Sequence, residues 1–390
     1  MGYQNANFFS SAPEGALELG SSTRPIICFS HLRWDFVFQR PQHIMSRLAT
    51  FHRVFFFEEP KFEDVPSPML RRTVSDGVTV LTPIIPLQLH GRDVSRILGR
   101  LVSAIVRTQK LQDAIAWYYT PMALRFTSQL EPAVTVYDCM DELSAFAGAP
   151  SEIGSCEAEL FRRADIVFTG GRALYEAKAN RHDNVHCFRS GVDAQHFAPK
   201  NHADPLDQRA LSRPRLGFYG VLDERFDAAL VERVAQARPE WNIVLVGPVV
   251  KIEAESLPRS QNITYLPQKT YAELPAYLSN WDIAILPFAR NAATRFISPT
   301  KTLEYLAAEK PVISTPIADV VEPYGRRGIV QIASTAEEFV MAGEQLLASA
   351  PHTATAAARN IVKENSWDHI VQTMMWRVET VELVERELAG

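Results

Sequence analysis

The segment RFISPTKTLEYLAAEKPVISTP (295–316) carries the most chemically suggestive spacing in the chain. Ser298 is a good N-cap and Pro299 a good first helical residue, so a helix is expected to start here with its free amides pointing outward. Such an N-terminus attracts anions, and Lys301 in its first turn adds a point charge suited to a diphosphate. Glu304 lies three residues on, on the same helical face. A carboxylate in that place can accept hydrogen bonds from two ribose hydroxyls. An ordinary capped helix with a solvated Lys and Glu would have the same letters.

A second group, Asp138, Asp141 and Glu142, puts three carboxylates within five residues. That spacing is compatible with a divalent cation site, with general-base work by Asp141, or with helix capping. His31 directly follows an apolar run, where a loop would face a cleft; it either touches a substrate or satisfies a backbone carbonyl. The sequence has no G-x-G-x-x-G, no G-x-x-x-x-G-K-[ST], no H-E-x-x-H and no G-x-S-x-G, so dehydrogenase, P-loop, zinc protease and α/β-hydrolase readings lose their usual support.

Composition narrows the classes further. Forty Lys and Arg against 45 Asp and Glu give a net charge of -5, without the basic excess of a nucleic-acid binder. Cys28, Cys139, Cys156 and Cys187 are widely spaced with no C-x-x-C, and read as thiols in a reducing compartment rather than a disulfide frame or zinc site. No apolar run reaches the roughly 18 residues of a membrane span, and residues 1–22 lack the features of a secretory signal. They read as a loose tail on a cytoplasmic protein.

The elements that must position these residues alternate along the chain. Apolar runs at 25–30, 53–59, 78–83, 114–120, 135–140, 165–170 and 185–190 are separated by stretches of helical spacing, a βαβ series. The polar stretch 193–214 reads as a linker between a first domain (23–192) and a second domain (215–366). In the latter, runs at 215–221, 241–248, 262–267, 281–288, 311–316 and 328–333 repeat the pattern. Residues 367–390 form a helix whose apolar residues need a surface to lie on. The expected fold is α/β: two doubly wound, Rossmann-like domains facing a cleft, with the last helix packing back.

The 295–316 block resembles the donor segment of GT-B glycosyltransferases, in which Pro-x-Lys-x-x-Glu-Tyr-Leu-Ala opens the helix that holds a nucleotide-sugar. The resemblance implies that Lys301 meets the diphosphate and Glu304 the ribose, with Ser298 and Thr300 beside them. It further implies that GFYGV (217–221) is the close-approach loop, with Gly220 and Val221 under the diphosphate, and that the backbone near Gln268 and Lys269 meets the base. CFSHLRWDFVFQRPQHIMSRLA (28–49) and VYDCMDELSAF (136–146) resemble bacterial exopolysaccharide glycosyltransferases related to the glucuronosyltransferase of xanthan assembly. In that comparison Asp141 takes the place of the catalytic aspartate; His31, from its place after the first strand, would contact the acceptor or a donor phosphate if it does not simply satisfy a backbone carbonyl.

The implied reaction moves a sugar from a nucleotide diphosphate, a UDP-sugar, to a hydroxyl of a saccharide or polyprenyl-linked acceptor, with no metal or other cofactor. Many retaining relatives carry a glutamate eight residues before the donor glutamate, whereas this chain has Phe296 there, so inversion is expected. A nucleotide-sugar epimerase or a non-catalytic two-lobed binding protein would share much of this layout. Finally, residues 92–110 interleave Val94, Ile97, Leu98, Leu101, Val102 and Ile105 with Arg92, Arg96, Arg100, Arg107 and Lys110. That pattern suggests either contact with an anionic membrane surface or a domain helix with a solvated basic face.

Overall fold

The computed structural model describes residues 24–349 and 356–389; the reading of 1–22 as a tail lies outside the described residues. The first half builds a nine-stranded sheet from β1 (Ile26–Phe29), β2 (Val54–Phe57), β3 (Lys61–Glu63), β4 (Met69–Ser75), β5 (Val78–Pro86), β6 (Ile115–Tyr118), β7 (Val134–Cys139), β8 (Ile166–Thr169) and β9 (Val185–Cys187). Its order is β3-β5-β2-β1-β6-β7-β8-β9, with β4 antiparallel to β5. The remaining pairs are parallel. Helices cover both faces, which is why β1, β2 and β6 are apolar and buried at every position.

The second sheet comprises β10 (Arg215–Tyr219), β11 (Asn242–Val246), β12 (Ile263–Leu266), β13 (Ile283–Leu286), β14 (Val312–Ser314) and β15 (Gln331–Ile332). All its strands are parallel, in the order β12-β11-β10-β13-β14-β15. In both sheets the order reverses beside the first strand, so the loops after β1 and β10 open at switch points where ligands bind in such folds. His31 and Gly220 stand in those loops.

The chain crosses between the two sheets at adjacent points: Val192 N–H donates to the Asn365 carbonyl at 2.8 Å. Beyond the second crossing, the helix Trp367–Ala389 returns to the first domain and buries Trp367, Ile370, Met374 and Val378 against Ile26, Ile44 and Trp117. Residues 193–214 lie against the second domain: Phe197 joins its core and the buried Gln208 side chain accepts from Trp281 Nε1 at 3.1 Å. Among the described residues no helix is long and apolar enough to cross a membrane. In the helix Ser95–Gln109, Leu98 and Val102 are buried and Ile97, Leu101 and Ile105 pack on the same core, while Arg96, Arg100 and Arg107 are exposed.

Candidate active site

The second domain's wall of the cleft is built on glycines. Gly217 leaves room for Trp281, whose ring would stand 1.8 Å from a Cβ there. Gly220 ends β10 at φ +147°, and a Cβ on it would lie 2.4 Å from Lys301 Cε. Gly247, at φ +143°, approaches so closely that its Cβ would meet the Gly220 carbonyl oxygen at 2.0 Å. Only glycine combines these backbone angles with this spacing.

The helix facing that loop is Lys301–Ala307, with Thr300 as its N-cap. It begins two residues later than Ser298 and Pro299 suggest, and the Thr300 side chain makes no capping hydrogen bond. Ser298 and Pro299 lie just before the helix, the Pro299 carbonyl accepting from Thr302 N–H at 3.2 Å, and both line the cleft cavity together with Thr300, Lys301 and Glu304. Glu304 is buried, and Tyr219 Oη donates to its Oε2 at 2.5 Å. Burial pushes the Glu304 carboxyl up and the Lys301 ammonium down, each effect opposed by the charge of the other.

A second cation comes from the turn after β10. Asp223 holds Arg225 through Nε at 2.9 Å and Nη2 at 2.7 Å, which leaves the Nη1 edge for a ligand. The Arg225 carbonyl accepts from Ala289 N–H at 2.8 Å, and Asp227 caps the next helix by accepting from Leu230 N–H at 2.8 Å. The turn is therefore fixed at both ends, and Arg225 lines the same cavity as Lys301.

The first domain supplies the opposite wall from the end of β7. Asp138 and Arg40 form a fully buried pair, Arg40 donating from Nε at 3.0 Å and Nη2 at 2.8 Å, with Nη1 on the Phe188 carbonyl at 2.8 Å. This anchors Met140 and Asp141, which line the cavity. Glu142 turns away to Lys178 at 2.6 Å, so two of the three carboxylates of 138–142 are tied to separate cations and Asp141 alone lines the cavity. Burial raises the Asp141 pKa to about 6, against the pull of Arg225, Arg40 and Lys301. An acid of that strength is a carboxylate base at neutral pH with useful proton affinity.

All the other residues expected from sequence converge here, with one exception. Gly220, Val221, Gln268 and Lys269 line the cavity. Gln268 donates across the cleft to the Phe36 carbonyl, and Lys269 is held by Asp207 at 2.6 Å. His31 is not part of this lining. Its ring interacts with the Tyr119 carbonyl, its Nδ1 is buried without a hydrogen-bond partner, and burial, reinforced by Lys251 across the cleft, lowers its pKa to about 4. It is a neutral imidazole at the edge of the site.

Arg225, Tyr219, Gly247 and Arg40 were not singled out from the sequence. Gly247 could have been, since VLVGP repeats the glycine strand end of GFYG one strand over. Also unread was Asp319 of the second domain, 3% exposed, which accepts from the Arg172 and Ala173 backbone N–H groups of the first domain at 2.8 and 3.0 Å. It tethers the domains beside Gly171, where a Cβ would fall 2.5 Å from Asp319 Oδ2.

Two doubly wound domains whose sheets open onto one shared cleft define the GT-B architecture. Residues 213–349 match the family model of glycosyl transferases group 1. A protein of Bacillus subtilis described as a teichuronic acid biosynthesis glycosyltransferase, TuaH, is 24% identical over 283 residues, 66% of this chain and 70% of its own length. Among solved structures, the sucrose-phosphate synthase of Thermosynechococcus elongatus superposes with a TM-score of 0.69 at 15% identity, over 94% of this chain and 99% of that one. Anabaena HepE in complex with UDP and glucose does so at 0.64 and 14% identity, over 92% and 99%. On these matches the chain is a glycosyltransferase with a group 1 domain at 213–349.

Proposed function

We propose that the protein transfers a sugar from a UDP-sugar to a hydroxyl of a saccharide or polyprenyl-linked acceptor in polysaccharide biosynthesis, by single displacement with inversion. One observation carries the reading: Lys301, Arg225 and the buried Glu304 of one domain share a cavity with Asp141 of the other. Lys301 and the Nη1 edge of Arg225 hold the diphosphate, Glu304 accepts from the ribose hydroxyls, and the backbone at 268–269 meets the base. Asp141 takes the proton of the acceptor hydroxyl as its oxygen attacks the anomeric carbon, and the bond to the diphosphate breaks. The negative charge that develops on the leaving group meets cations already fixed in place, the work a metal ion does in other enzymes. Closure of the domains excludes water that would otherwise hydrolyse the donor.

The B. subtilis relative's description supports a role in polysaccharide assembly, and the UDP and glucose in the HepE structure support the donor class. Neutral His31 stands at the cleft edge as an acceptor contact. The acceptor domain meets anionic lipid through Arg96, Arg100 and Arg107, joined across a shallow groove by Arg125. Because the apolar face of that helix is committed to the core, the contact is electrostatic rather than inserted. A screen of UDP-sugars with UDP release as readout tests the function. One donor should release UDP in proportion to added saccharide or polyprenyl-linked acceptor, and release that ignores every acceptor while wild-type protein binds the donor would refute transfer.

A further inference from the structure

The loop that follows Asp141 does not stay with its own domain. It is pinned at its start by the Glu142–Lys178 ion pair at 2.6 Å, and it turns at Gly148, φ +75°. Between these points Phe146 enters the second domain, where its ring lies 5.4 Å from the Arg225 guanidinium carbon and 5.5 Å from Lys251 Nζ. Both distances are within cation–π range. Next to it, the Ala147 N–H donates to Glu224 Oε1 at 3.3 Å. Lys251 reaches this position from a left-handed backbone, φ +62°, a conformation uncommon for a residue with a side chain.

We infer that Phe146 is a positioning residue that locks the Asp141 loop onto the donor domain through Arg225 and Lys251, so that the base is set in place by the same guanidinium that holds the donor diphosphate. The inference rests on the transfer reading above. Arg225 has the geometry for both tasks: Asp223 takes Nε and Nη2, the aromatic ring takes an open face, and Nη1 remains for phosphate. Asp138 and Glu142 fix Asp141 on the first domain, and Phe146, five residues after it, ties that loop to the second, so release of the ring lets the carboxylate shift with its own domain away from the donor-side reaction centre. Displacements of that kind lower turnover rather than donor affinity.

The test compares Phe146→Leu, which keeps apolar bulk without a π face, with Phe146→Tyr, which keeps the face. Steady-state kinetics and amide hydrogen exchange of 143–149 are read on the full chain. Phe146→Leu should lower kcat about tenfold with donor KM within twofold and accelerate exchange in the loop, and Phe146→Tyr should restore both. Adding Lys251→Met to Phe146→Leu should cost less than the two single losses combined, because the two groups share one contact. Unchanged exchange in Phe146→Leu, a loss confined to donor KM, or equal defects in Leu and Tyr would overturn the inference. Exchange that responds as expected in a protein that transfers nothing would instead refute the transfer reading and leave the docking contact standing.

Discussion

Gly220 and Lys301 occupy space that a single methyl group would contest, since a Cβ on the glycine would stand 2.4 Å from the lysine Cε. The backbone there, at φ +147°, is also one that side chains rarely adopt. Gly220→Ala should fold, because a lysine side chain can swing aside, at a stability cost of about 1–3 kcal/mol for the strained backbone. Displaced Lys301 no longer faces the diphosphate, so UDP affinity should fall by roughly tenfold or more, the scale of one charge-assisted hydrogen bond. Thermal unfolding and UDP titration of the same preparation separate the two effects. Unaltered UDP affinity would remove Lys301 from the donor site.

Glu304 and Tyr219 should differ in the size of their effects. Glu304→Ala removes two charge-assisted bonds to ribose and weakens donor binding by about 1.5–3 kcal/mol. Tyr219→Phe leaves the carboxylate and removes only the bond that orients it, 2.5 Å in the structure, at about 1 kcal/mol. Binding measured with UDP and with uracil alone locates the loss: it should vanish for the free base, which has no ribose.

The acid limb of kcat/KM should fall with a midpoint near pH 6, where Asp141 takes up its proton. Asp141→Asn should remove that limb and lower turnover by roughly 10²–10⁴ with UDP binding within about twofold. The same shift predicts a stability effect of opposite sense. With the folded pKa above the unfolded one, the folded state binds the extra proton, so stability falls as pH rises from about 4 to about 6 and the carboxylate is a burden at neutral pH. Asp141→Asn should therefore raise stability by about 3 kcal/mol at pH 7.5 and by little at pH 4.

Turnover should persist in EDTA, because Arg225 and Lys301 already supply positive charge at the diphosphate position. Manganese-reversible loss of all activity would show that these two cations do not suffice.

Periodicity made the buried parallel strands of both sheets legible, since each is a short apolar run closed by Gly, Pro or a polar turn. It missed β3 and β4, which form the sheet's outer part; β4 reads MLRRTVS and is largely exposed, so no buried alternation marks it. The helix at 301 starts later than expected because Ser298 and Pro299 are favourable letters in the turn before a helix as well as in its cap. The placement of Lys301 and Glu304 in the cleft cavity was legible from local spacing, the two being one turn apart. Arg225, Tyr219 and Asp319 were not, because their roles depend on partners 85 or more positions away or across the domain boundary. The same holds for the Asp138–Arg40 pair, which joins residues 98 positions apart and, with the Glu142–Lys178 pair, leaves Asp141 the one carboxylate of the three that lines the cavity.

The most direct measurement is calorimetric titration of UDP into wild type, Glu304→Ala and Asp141→Asn under identical conditions. If the second domain holds the donor and the first holds the base, wild type and Asp141→Asn should bind one UDP with affinities within about twofold, while Glu304→Ala should bind roughly ten to a hundred times more weakly. Failure of wild type to bind UDP, or equal weakening in both variants, would contradict that division of labour between the two walls of the cleft.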